Sequence, residues 1–86
     1  MRAIKVTATG LAKSGHVRVE GVSLIPDAAD ATITLNDSLD GLGVDKGGAK
    51  CEAEYSTETC LYGQSFETGV YVTLTGAGAE AYIYIQ

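Results

Sequence analysis

The chain has 86 residues, 45% of them hydrophobic, and a formal net charge of −5 from eleven acids and six bases. A domain of this size buries roughly 60–65% of the surface its unfolded chain exposes, so a core forms but stays thin. The bases Arg2, Lys5, Lys13, Arg18, Lys46 and Lys50 are scattered, which excludes the basic footprint of nucleic-acid binding, and no apolar run is long enough to cross a membrane. No charged-then-apolar leader opens the chain, so the expectation is a protein made and used without Sec export, although a processed chain would read the same. An acidic surface suits a basic partner.

Residues 1–86 read as one domain. Arg2 to Thr9 alternates, with Ile4, Val6 and Ala8 on one side and Lys5, Thr7 and Thr9 on the other, which predicts a first strand. Gly10 to His16 reads as a turn region. Val17 and Val19 then alternate with Arg18 and Glu20. After Gly21 the apolar set moves to even numbers, Val22 and Leu24. A glycine at such a phase slip predicts a β-bulge. Pro26 and Asp27 end that strand. Ala31, Ile33 and Leu35 alternate with Thr32, Thr34 and Asn36. Asn36 to Gly48 is rich in glycine and aspartate and reads as a loop, with Leu39, Leu42 and Val44 pinning it to the core. Lys50 to Tyr55 alternates again, placing Glu52 and Glu54 on one face. Thr59 to Tyr62 is a brief strand, followed by a loop and Phe66.

The last eighteen residues, Gly69 to Gln86, organise the reading. Val70, Val72 and Leu74 share one face of a first arm; Ala79, Ala81, Ile83 and Ile85 share one face of a second. The Gly76-Ala-Gly78 joint between them predicts a hairpin. Matching the apolar faces then puts Tyr71 opposite Tyr82 or Tyr84. Tyrosine suits exposed strand faces, where cross-strand aromatic pairs add roughly 0.2–1 kcal/mol. The favoured alternative is a protein interface made by Tyr71, Tyr82 and Tyr84 with Thr73 beside them.

No segment keeps helical spacing over eleven residues. About seven short strands separated by turn signals predict an all-β, antiparallel sandwich or flattened barrel, with a jelly roll among the candidate orders. The connections are too short for parallel crossovers.

The remaining motifs favour plain readings. Gly41-Leu-Gly43-Val-Asp-Lys-Gly47-Gly48 fails the spacing of both phosphate-binding loops. Asp37, Asp40 and Asp45 lack the spacing of a calcium loop. Ser14 and His16 have nothing to orient a triad, and Glu52 with Glu54 reads as a solvated face. Cys51 and Cys60 are too few for a disulfide framework and read as two small buried thiols, with a bridge as the alternative. Zinc would need two more ligands, and His16 is the only histidine. The expectation is therefore no cofactor, no metal and no enzyme.

The stretch Gly15-His-Val-Arg-Val-Glu-Gly21-Val-Ser-Leu24, followed by Ala31-Thr-Ile-Thr-Leu35, resembles small virion proteins of tailed bacteriophages. So does Phe66-Glu-Thr-Gly69-Val-Tyr71-Val-Thr-Leu74-Thr-Gly76 with the closing Ala79 to Ile85. The resemblance implies a small all-β protein without catalytic residues, decorating a capsid or serving as another accessory of the virion. It implies synthesis in the host cytoplasm and residence in the virion. The expected partners are the major capsid protein or another virion protein, together with further copies of the chain, for which a trimer is one arrangement. A tail adaptor or fibre-associated piece, and a carbohydrate- or ligand-binding sandwich, remain the alternatives. Cys51, Cys60 and the glycine-aspartate loop have no place in the resemblance.

Overall fold

The computed structural model describes residues 2–86. Its elements are β1 (Arg2–Val6), β2 (Gly10–Ser14), β3 (Val17–Ile25), β4 (Ala31–Asp37), β5 (Val44–Cys51), β6 (Thr57–Phe66), β7 (Gly69–Thr75) and β8 (Glu80–Ile85). They form two four-stranded sheets, sheet A in the order β1-β8-β3-β6 and sheet B in the order β2-β7-β4-β5. Every pairing is antiparallel. The molecule is thus the expected all-β sandwich, with one strand more than the pattern suggested. The extra strand is β2, in the stretch read as a turn.

The order has a simple origin. β1 pairs with β8, β2 with β7, β3 with β6 and β4 with β5. The chain is one long antiparallel ribbon, turned back between β4 and β5 and then rolled up. Rolling adds the pairs β3·β8 and β4·β7, which close the sheets. This is the jelly-roll arrangement.

The core lies between the sheets and takes the alternating residues of both. Val19, Leu24, Leu35, Phe66, Val70, Val72, Ala81 and Ile83 are fully enclosed. Each large aliphatic or aromatic side chain among them contributes about 1.5–3 kcal/mol by leaving water. The phase slip at Gly21 is a bulge, as its spacing predicts. Both pairings of β3 shift register between Val19 and Gly21, so Val19 and Val22 both face the core. Gly21 is needed there, because a Cβ would stand 2.8 Å from the Thr59 carbonyl oxygen. On the partner strand, Leu61, Tyr62 and Gly63 bulge out between Cys60 and Gln64, and Tyr62 and Gly63 take φ values of 53° and 73°. Leu61 turns inward there and lies over Gly47 of β5, sealing the β5–β6 side of the sandwich.

Several expectations are corrected. The terminal ribbon is not a hairpin: β7 belongs to sheet B and β8 to sheet A. Gly76 and Gly78, at φ 108° and 75°, carry the chain across the sandwich, and Ala79 N–H donates to the Gly76 carbonyl at 3.2 Å. The arch is tight, since a Cβ on Gly76 would meet the Asp30 carbonyl oxygen at 2.7 Å. Both arms still turn their aliphatic side to the shared core, so alternation alone reads the same for an arch and a hairpin. Residues 44–48, expected as loop, belong to strand β5, which ends at Cys51, so the strand expected over Lys50 to Tyr55 stops early and Glu52 and Glu54 lie in the turn after it. Leu39, Leu42 and Val44 do not pin the preceding loop, being 53%, 86% and 67% exposed. The brief strand at Thr59–Tyr62 extends over Thr57–Phe66. Cys51 and Cys60 are free, half-buried and exposed respectively, not two buried thiols. Cys51 packs inward against the core, whereas Cys60 sits opposite Gly21 on the outer side of sheet A.

Candidate functional site

The crossing of the ribbon divides the tyrosines. Tyr82 and Tyr84 stand two apart on β8, on the outer face of sheet A. Tyr71 and Thr73 stand on β7, on the outer face of sheet B. The expected single surface is therefore two surfaces on opposite sides of the molecule.

On sheet A, Tyr82 lies between Lys5 and Ser23, and Tyr84 between Ala3 and Gly21. Both rings are half-buried. The Tyr84 hydroxyl is 2.9 Å from Ser23 Oγ, which is 3.2 Å from Glu58 Oε1. A carboxylate only accepts, so Ser23 donates to Glu58 and the Tyr84 hydroxyl donates to Ser23. The chain of bonds fixes the ring of Tyr84. Gly21 has no side chain to fill the space beside it. The result is a shallow depression of about 460 Å³, bordered by Glu20, Gly21, Glu58, Cys60 and Tyr84. Lys5 and Glu80, 3.5 Å apart, edge the other end of the face. The face offers a rigid phenol, two carboxylates and a thiol. Among the described residues no three His, Cys, Asp or Glu side chains gather as a metal site.

Sheet B presents a different chemistry. Thr73 pairs with Thr34, and Thr32 shares a short hydrogen bond with Thr75. Tyr71 is used by the fold itself. It sits opposite Leu11 and Asn36, and its ring covers Gly41, where a Cβ would come within 2.9 Å of it. Beneath this roof lies a connected cluster of polar groups. Asn36 is buried, 5% exposed. Its Nδ2 donates to the Gly43 carbonyl at 2.9 Å and to Asp45 Oδ1 at 2.8 Å. Its Oδ1 accepts from Gly43 N–H at 2.9 Å and from Ser38 Oγ at 2.5 Å. Ser38 Oγ in turn accepts from Gly41 N–H at 2.8 Å.

Asp37 ties the same end of sheet B to the β6–β7 turn. Its carboxylate accepts from Thr68 N–H at 2.8 Å and Glu67 N–H at 3.0 Å, and pairs with Lys46 Nζ at 3.1 Å. These donors, led by the Thr68 amide, hold its pKa far below the usual carboxylate range. The sequence reading missed Asn36 and Asp37. The signal was there: an Asn-Asp-Ser run closing a strand, with glycines at 41 and 43 to accept tight turns.

The aspartates weighed for calcium thus serve separate ends, with Asp37 on the β6–β7 turn, Asp40 on Leu42 N–H and Asp45 on Asn36. His16 contacts Ser65 at 3.1 Å rather than assembling a site with Ser14. Gly47 and Gly48 belong to β5. No family model, no curated protein and no solved structure matches this chain.

Proposed function

We propose that this protein is a non-enzymatic structural component of a phage particle, a capsid decoration or cement protein that docks through the outer face of sheet A. The observation that carries the reading is the pair Tyr82 and Tyr84, displayed side by side on a four-stranded sheet with Tyr84 locked by Ser23. Rigid, partly desolvated phenols lose little entropy when covered, and tyrosine is enriched where interfaces concentrate their energy. Lys5, Glu58 and Glu80 provide a polar rim around them. Jelly rolls serve as viral capsid domains and as lectins, which agrees with the reading without deciding it. The partner is the major capsid protein or another virion protein, and many weak copies add stiffness through multivalency.

The test is co-sedimentation of the purified protein with particles that lack it. Tyr82→Ala with Tyr84→Ala is expected to remain folded and to lose binding. Tyr71→Phe, on the opposite sheet, is expected to bind as the parent does. Normal binding by the double variant removes the sheet A reading.

The depression beside Tyr84 supports a second reading, a carbohydrate- or ligand-binding module, since an aromatic wall with carboxylates also suits a sugar. A glycan array separates the two: saturable sugar binding lost in Tyr84→Ala favours the second, and silence on the array favours the first.

A further inference from the structure

The rolled ribbon leaves two flanks, where the edge strands of the two sheets come together. One is built from β1 and β2, the other from β5 and β6. Their charges are opposite. Residues 2–16 hold Arg2, Lys5 and Lys13 and no acid. Residues 44–66 hold Asp45, Glu52, Glu54 and Glu58 against Lys46 and Lys50. Lys46 is already taken by Asp37 at 3.1 Å, so the second flank is more acidic than its count, and Lys5 is taken by Glu80 at 3.5 Å, so the first rests on Arg2 and Lys13. Glu52, Glu54 and Glu58 are all exposed and have no cationic partner among the described residues.

The flanks also differ in shape. At β1–β2 the sandwich is not sealed. Ile4 and Ala12 are only partly covered, Leu11 is 48% exposed, and a depression of about 300 Å³ runs between the two strands. At β5–β6, Leu61 closes the seam from inside, and the apolar groups stand outside. Tyr62 is 88% exposed, Tyr55 71% and Val44 67%. Tyr62 is held in a left-handed conformation, φ 53°, that side chains other than glycine rarely adopt. A bulge that costs energy to present an aromatic to solvent fits a contact.

We propose that the acidic β5–β6 flank of one copy seats against the basic β1–β2 flank of a second copy, a head-to-tail contact between copies of this chain. Its basis is charge complementarity, joined to an open apolar seam on one side and projecting tyrosines on the other. The bulges in β2 and β6 interrupt both edges, so side chains and charge, not a continuous backbone ladder, decide the fit. A standard interface takes about 800 Å² per partner, so two flanks use roughly a third of the 4702 Å² surface. The outer faces of both sheets stay free. The proposal therefore stands apart from docking through sheet A. Unlike surfaces meeting in this way build a ring when the rotation closes.

The experiment is sedimentation velocity of the full chain, with two charge-reversed variants. The parent is expected to exceed the 8.9 kDa monomer mass in a concentration-dependent way at low salt. It should shift towards monomer as salt rises from ~20 mM to ~0.5 M, because exposed pairs are screened. Arg2→Glu with Lys13→Glu makes both flanks acidic, and Glu52→Lys with Glu54→Lys makes both basic; Lys5 and Glu58, on the outer face of sheet A, are left unchanged. Each variant alone is expected to be monomeric, and an equimolar mixture should associate again. Circular dichroism melts verify that both remain folded, and the parent's salt dependence tests the proposal without them. A parent that is monomeric at every concentration, a variant that associates alone as the parent does, or a mixture that stays monomeric each overturns it.

Discussion

Asn36→Ala tests whether the β4–β5 end is held by one side chain. Asn36 makes four hydrogen bonds, two as donor and two as acceptor. Each such bond contributes about 0.5–1.5 kcal/mol net. Not all of that is lost, because Gly43 and Asp45 are exposed and water can replace their share. Ser38 is buried at 8% exposure; it loses its acceptor but keeps the Gly41 amide. Counting two unreplaced bonds and a small void, the expected loss is about 2–3 kcal/mol. That is a large share of the roughly 5–13 kcal/mol available to a domain of this length. It corresponds to a fall in Tm of about 10–20 °C. Urea unfolding should show a lower midpoint at unchanged slope. Hydrogen exchange at the Gly43 amide, which donates to Asn36, should quicken beyond the global change. A loss under about 0.5 kcal/mol with Gly43 protection intact would refute the account of this loop.

Three further outcomes follow from single sites. Asp37 has a lowered pKa, so its contribution is complete above the unfolded value near 4 and is lost as pH falls through the folded one; urea midpoints between about pH 2 and pH 7 should therefore separate the parent from Asp37→Asn at neutral pH and converge in acid. Phe66→Ala empties a fully enclosed site where the two sheets meet and should cost about 3–5 kcal/mol in urea unfolding. A thiol reagent should modify exposed Cys60 in the folded protein and reach Cys51 only slowly, with both equal in denaturant; equal native rates would contradict their opposite orientations.

What the sequence discloses is which side of each strand meets the core. The alternations at Ile4–Val6, Ala31–Leu35, Val70–Val72 and Ala81–Ile85 all hold, and so does the bulge at Gly21. What alternation cannot encode is the partner of a strand. The Gly76–Gly78 joint satisfies the same face rule whether its arms pair or arch across the core, and here they arch. Strand β5 lacks alternation because Gly47 surrenders its place in the core to Leu61 from the other sheet. Strand β6 is hidden by the residues that bulge from it. The candidate surface was legible by half: Tyr82 and Tyr84 share a face, whereas Tyr71 belongs to another sheet and has work of its own.

That division makes a testable contrast between residues of one type. In a rolled ribbon β7 and β8 are interior strands, β7 between β2 and β4, and β8 between β1 and β3. The carboxyl-terminal stretch therefore occupies the middle of both outer faces. On sheet B the position is spent internally, because Tyr71 roofs Gly41 and shelters the Asn36 cluster. On sheet A, Tyr82 covers no comparable loop and makes no side-chain hydrogen bond among the described residues. Tyr71→Ala should then cost about 1–2 kcal/mol and loosen residues 38–43 to proteolysis. Tyr82→Ala should stay within about 0.5 kcal/mol of the parent in urea unfolding. If the two substitutions destabilise equally, or Tyr82→Ala does so more, Tyr82 serves the fold, and the case for sheet A as a free contact face fails with it.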